Sequence, residues 1–173
     1  MASPLEREGG NLFSQLQIIS ELQIVGYVVL AMFLSALIGV DRELADKPAG
    51  FRTHMLVGGA SALLVSLSSV IVNTLQVDEA YIQVDPIRVL EAIIAGVSFL
   101  GAGTIFRRGS RDSNNSTTEG LTTAASLLFV AGIGVSVATH QFVLAIGVTL
   151  MALIVLRGVP WLESRINSKP SQG

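Results

Sequence analysis

The chain of 173 residues has no cysteine, so it can form no disulfide, thiolate nucleophile or cysteine-bound metal site. Charge is scarce: 14% of residues are Asp, Glu, Lys or Arg, where a soluble domain carries about 25%. The net charge of −2 comes with no basic block, which argues against nucleic acid as a partner. A Walker A loop, a dinucleotide-binding glycine fingerprint, an H-E-x-x-H helix and a G-x-S-x-G elbow are all missing. Serines occur without a positioned base, so the sequence points away from an enzyme. The first residues, MASPLEREGG, lack the basic start of a secretory signal, and no small-residue cleavage site follows the first apolar run.

Apolar residues dominate instead. They make up half of the chain, and mean hydropathy is +0.62. A surface of that composition suits lipid better than water. Apolar runs cover residues 22–40, 55–75, 89–106, 121–139 and 142–159. Each has about the 17–25 residues that a helix needs to cross a bilayer. Backbone polar groups have no partner in hydrocarbon, so these runs are expected to be helices. The expected fold is all-α, a polytopic membrane protein of five transmembrane helices. A polar arm over residues 1–20 precedes the membrane domain at 21–160, and a tail over 161–173 follows it. In the arm, Leu12, Leu16 and Ile19 share one face, as in an interfacial helix. The three residues THQ between the last two runs predict a tight hairpin rather than one over-long helix.

Orientation is read from Lys and Arg. The loop after the first run holds Arg42, Lys47 and Arg52. The loop after the third holds Arg107, Arg108 and Arg111, and the C-terminal part holds Arg157, Arg165 and Lys169. Only Arg7 and Arg88 fall on the other side, so nine of the eleven positive charges share one face. That face is expected to be cytoplasmic, with the N-terminus outside and the C-terminus inside. Helix punctuation agrees. Asp85 and Pro86 suit the N-cap and first position of the third span. Thr118 and Glu119 suit the start of the fourth. GFRT at residues 50–53 and GLTT at 120–123 each open an even-numbered span before a small-residue run. Two hairpins related as a repeat would account for this, as would the general frequency of small residues in membrane helices.

Three places carry candidate chemistry. The stretch GVDRELADKPAGFRTHMLVGG sets Asp41, Arg42 and Glu43 against the end of the first span, and Arg52 and Thr53 against the start of the second. Pro48 and Gly50 make the turn between them. A carboxylate at an apolar helix end is costly unless paired, so Asp41 is expected to fold back onto Arg52. Asp41 is also a hard oxygen ligand of the kind Mg²⁺ accepts. In the third span, Ala92, Ala95, Gly96, Gly101, Ala102 and Gly103 make a thin helix. That allows close packing against a neighbour or a broken helix beside a ligand, and the letters leave both open. Glu91 either reaches to the surface or, if turned inward, serves with Asp41 as a proton or cation site. Thr122, Thr123 and Ser126 can bond the backbone or a neighbouring helix. His54 and His140 are expected in loops on opposite faces, too far apart to share a metal.

The stretches GVDRELADKPAGFRTHMLV, DPIRVLEAIIAGVSFLGAGTI and EGLTTAASLLFVAGIGV together resemble the MgtC/SapB family of bacterial inner-membrane proteins, over about residues 30–155. The resemblance implies a multi-pass plasma-membrane protein linked to Mg²⁺ homeostasis, growth at low Mg²⁺, acid tolerance and, in pathogens, survival inside host cells. It places the family's acidic residue on Asp41, followed by Arg42 and Glu43, and its Arg-Thr pair on Arg52 and Thr53, after Gly50. The Asp-Pro-x-Arg motif falls on Asp85, Pro86 and Arg88, the glycine-rich core on Phe99 to Gly103, and the Gly-Leu-x-Thr motif on Gly120, Leu121 and Thr123. Longer members add a cytoplasmic ACT-like domain, whereas this sequence stops about fourteen residues past the fifth run. Glu91 stands where a small or apolar residue is expected.

Two functions are then open. The chain acts by interaction with another membrane complex, for which the resemblance implies the F-type ATP synthase. Alternatively it moves Mg²⁺, or another cation coupled to protons, along a path lined by Asp41 and Glu91. With so few buried charges, such a path calls for a homo-oligomer. The lipid bilayer is a partner in both, and Mg²⁺ is the one ion implied.

Overall fold

The computed structural model describes residues 4–74, 85–109 and 116–167. Among them are five helices: α1 (Pro4–Leu44), α2 (Phe51–Thr74), α3 (Pro86–Gly109), α4 (Ser116–Ala138) and α5 (Phe142–Asn167). Each contains a stretch long and apolar enough to cross a membrane: Gln17–Leu44, Phe51–Val72, Ile87–Ile105, Gly120–Ala138 and Phe142–Val159. The all-α expectation and the five spans therefore hold. α1 begins at Pro4, so it takes in most of the expected arm. At about 1.5 Å per residue its 41 residues extend well beyond a ~30 Å hydrocarbon core.

The helix ends have local causes. Asp85 Oδ1 accepts the Ile87 backbone N–H at 2.9 Å, and Pro86 takes the first position of α3, the N-cap arrangement expected. Thr118 and Glu119 fall in the first turn of α4. The C-termini of α1 and α4 close in the same way. Asp46 (φ 53°) and His140 (φ 61°) take the left-handed conformation. Lys47 N then donates to Arg42 O, and Gln141 N to Ser136 O, bonds that satisfy carbonyls left over at a helix end. The left-handed His140 reverses the chain within the THQ triplet, which gives the tight hairpin between α4 and α5.

The bundle is built around α4, which packs against all four other helices. α1 with α2, and α3 with α4, form the two most extensive pairs. Absent side chains allow these contacts. A methyl on Gly39 would come within 2.8 Å of Phe51 Cα, and one on Gly120 within 3.0 Å of Ile105 Cα. A methyl on Gly134 would strike the carbonyl oxygen of Gly58, where α4 crosses α2. The core between them includes Ala31, Ile38, Leu127, Val130, Ile133 and Val137, all at most 1% exposed. Large apolar side chains cover the outside as well: Val143 is 87% exposed and Phe99 80%. Such a surface needs a lipid cover.

Both hairpins present the same ends together. The end of α1, the start of α2, the end of α3, the start of α4 and the late part of α5 lie at one end of the bundle. Gly39 meets Phe51 and Ile105 meets Gly120 there, and Asp41 meets Arg157. At the other end Tyr27 stacks edge-on against His140, with ring centroids 4.8 Å apart. Arg42, Lys47, Arg52 and Arg157 therefore share one end, as the charge pattern predicts. Arg111 and Lys169 lie outside the described residues.

Candidate functional site

The last turn of α1 buries an acid and the base that follows it. Asp41 is 7% exposed and Arg42 5%. Arg42 Nη2 donates to Asp41 Oδ2 at 2.7 Å, and its Nε reaches the same oxygen at 3.2 Å. The other oxygen, Oδ1, accepts Arg157 Nε from α5 at 2.7 Å. One carboxylate thus joins two guanidinium groups, and the joint ties α5 to α1. The Arg157 side chain is 69% exposed. The cluster carries one positive charge in excess.

The expected pairing of Asp41 with Arg52 is not what forms. Arg52 is exposed in the first turn of α2, where it lines a shallow hollow of about 440 Å³ with Glu43, Asp46, Lys47, Gly50 and Thr53. The reason is rotational. Asp41 faces α5, so Arg157 reaches it first, and Arg42 folds back along its own helix. The acid that meets the start of α2 is Glu43, whose Oε2 accepts the Phe51 N–H at 2.7 Å. A carboxylate at this position satisfies one free amide and sits at the positive end of the helix. Gly50 leaves the room: a methyl there would lie 2.7 Å from Glu43 Oε2.

A second polar contact lies deeper. His54 is fully buried in the first turn of α2, not in a loop as the sequence suggests. Its Nδ1 lies 2.9 Å from the Gly50 carbonyl, which can only accept, so this nitrogen carries the proton. Nε2 lies 3.0 Å from the Ser126 hydroxyl on α4. Ser126 Oγ also lies 2.8 Å from Thr123 O. This histidine joins α2 to α4, and its position four residues after Gly50 was the sequence signal for it. It is remote from His140, as expected.

The remaining candidates separate. Glu91 is exposed on α3, with neither Asp41 nor another described carboxylate in a metal-binding group. Arg88 is exposed at the start of α3, at the end away from Asp41. α3 runs unbroken through its glycine-rich core, so the broken-helix alternative does not hold. Only part of that core packs. Gly101 approaches Ala124, whose Cβ would lie 3.0 Å from an added methyl, while Gly103 faces open space. Thr104 Oγ1 donates to Gly101 O at 2.7 Å and lies 3.5 Å from Gly120 O, linking the glycines of the two motifs. Thr123 is fully buried, and Thr53 is exposed. Beside the Asp41 cluster, α1, α4 and α5 enclose an apolar groove of about 170 Å³.

The MgtC family pattern matches residues 28–165, which takes in both clusters, the last four spans and the greater part of the first. The chain belongs to the MgtC family. Its similarity to individual members is spread over the same region. It is 38% identical over 146 residues to the protein MgtC of Salmonella typhimurium, covering 83% of this chain and 55% of that one. It is 34% identical over 143 residues to the Escherichia coli K12 protein named "Putative magnesium transporter YhiD", covering 82% and 63%. For the protein SapB of Bacillus subtilis the figures are 32% over 139 residues, 79% and 56%. The chain thus spans between about half and two thirds of the length of these relatives. No solved structure matches.

Proposed function

We propose that this chain serves Mg²⁺ homeostasis or stress adaptation from the plasma membrane by packing against another membrane complex, and not by conducting ions through its own bundle. The basic end faces the cytoplasm in this reading. The observation that carries it is the state of Asp41: both carboxylate oxygens are held by guanidinium groups. A carboxylate so engaged is a structural joint, and Mg²⁺ would have to displace an arginine to reach it. Among the other buried hydroxyls, Ser61 and Thr149 donate to carbonyls of their own helices, Ser126 donates to His54 Nε2, and Ser35 and Ser66 have no hydrogen-bond partner among the described residues. The exposed apolar faces of α3 and α5 are available for helix packing. The F-type ATP synthase is the complex that the family resemblance implies.

A direct cation transporter, working as an oligomer, is the second reading. It is favoured by the name of the Escherichia coli relative, which describes a magnesium transporter. Mg²⁺ flux into proteoliposomes holding the purified chain separates the two. The proposal predicts flux no greater than in empty vesicles, together with a membrane complex that co-purifies from mild detergent. Flux that Asp41→Asn abolishes would establish transport instead.

A further inference from the structure

We propose that the groove beside Asp41 holds an acyl chain of an anionic phospholipid whose phosphate rests on Arg157. The groove is bounded by Ile38 on α1, Thr122, Ser126 and Phe129 on α4, and Met151 and Val155 on α5. Its open wall is apolar, because Ser126 turns its hydroxyl to His54 and to its own helix. Its volume of about 170 Å³ is close to the ~150 Å³ of a cavity that takes a benzene-sized guest. That is room for part of one hydrocarbon chain, and too little for a helix.

Charge identifies the headgroup. The groove ends at the ion cluster: Ile38 lies three residues before Asp41, and Val155 two before Arg157. The cluster has two guanidinium groups and one carboxylate. Arg42 is buried with its donors on Asp41. Arg157 engages Asp41 through Nε alone and is 69% exposed. A guanidinium exposed in this way can receive a phosphodiester, whose single negative charge cancels the excess. Basic pockets between membrane helices, on the side where the positive residues gather, take lipid headgroups for this reason. A zwitterionic lipid brings its own cation and leaves the excess in place. The site stands apart from the function proposed above, since it requires neither ion flux nor a protein partner.

The chain has one tryptophan, Trp161, four residues past Arg157 on α5, which supplies a reporter. The purified chain is placed in phosphatidylcholine vesicles in which a small fraction of either phosphatidylglycerol or phosphatidylcholine carries bromine on its acyl chains. Brominated phosphatidylglycerol is expected to quench Trp161 about fivefold more effectively, the preference that one basic group at a membrane surface gives. Arg157→Gln should bring the ratio to about one. Ala125→Leu, at an exposed position on the groove wall, should do the same while leaving the ion cluster intact. It serves as the independent variant if Arg157→Gln fails to fold. Equal quenching by the two lipids in the unaltered chain would overturn the proposal. So would a preference that survives Ala125→Leu, since the headgroup would then bind without the groove. Loss of the preference on adding inorganic phosphate would assign Arg157 to a soluble anion and overturn it too.

Discussion

At the end of α1, one carboxylate carries two arginines, and the two are not equivalent. Replacing Asp41 by Asn leaves Arg42 buried without a counter-charge, a change that costs about 3–5 kcal/mol when one partner of a buried pair is removed. Replacing Arg157 by Gln breaks a bond whose outer partner is mostly exposed, which costs less than about 1 kcal/mol. Thermal unfolding in detergent should therefore rank Asp41→Asn far below Arg157→Gln. A double-mutant cycle carries the same point further. Asp41 and Arg157 should show coupling, whereas Asp41→Ala and Arg52→Ala should add simply. That an acid at position 41 needed a partner was legible from its place against an apolar run. Which arginine would supply it was not, because the choice depends on the rotation of α1 about its axis, and Arg157 is 116 residues away. His54 shows the same limit. Its letter next to a turn reads as a loop histidine, but Phe51 already begins α2 and turns it inward. His54→Ala should lower stability by about 2 kcal/mol or more, through the cavity and the lost tie to Ser126.

At the scale of elements, the helices owe their contacts to glycines at crossings rather than to interlocking large side chains. Gly134 and Gly132 make a matched pair on α4. A methyl at Gly134 collides with backbone of α2, and one at Gly132 meets nothing within 4 Å. Gly134→Ala should destabilise by about 1–3 kcal/mol, the usual cost of overpacking. Gly132→Ala should be neutral or stabilising by up to ~1 kcal/mol, from helix propensity alone. Unfolding midpoints of the two variants in one detergent test this directly. All seventeen glycines look alike in the sequence. Spacing separated the helices correctly, since the apolar runs are long and the breaks hold Pro48, Gly50 or the Asp85-Pro86 cap. It could not separate crossing glycines from lipid-facing ones, because no helix here has a polar side to mark its outward face.

At the scale of the whole molecule, two features visible in the letters agree with each other. The basic residues alternate between loops, and the bundle gathers Arg42, Lys47, Arg52 and Arg157 at one end. The two hairpins, α1 with α2 and α3 with α4, both draw closest towards that end. The central place of α4 was not foreseen, since its sequence is no more apolar than its neighbours' to the eye. It follows from small residues, Gly120, Ala124, Ala131 and Gly134, which let other helices approach.

The proposed orientation of the five candidate spans puts the basic end in the cytoplasm. The absence of cysteine allows a clean test, because a single cysteine can be placed at Gln83, between α2 and α3, or at Ser113, between α3 and α4. In intact cells a membrane-impermeant maleimide should label the Gln83→Cys variant directly and the Ser113→Cys variant only after the membrane is opened. Labelling of both from the same side would contradict the account.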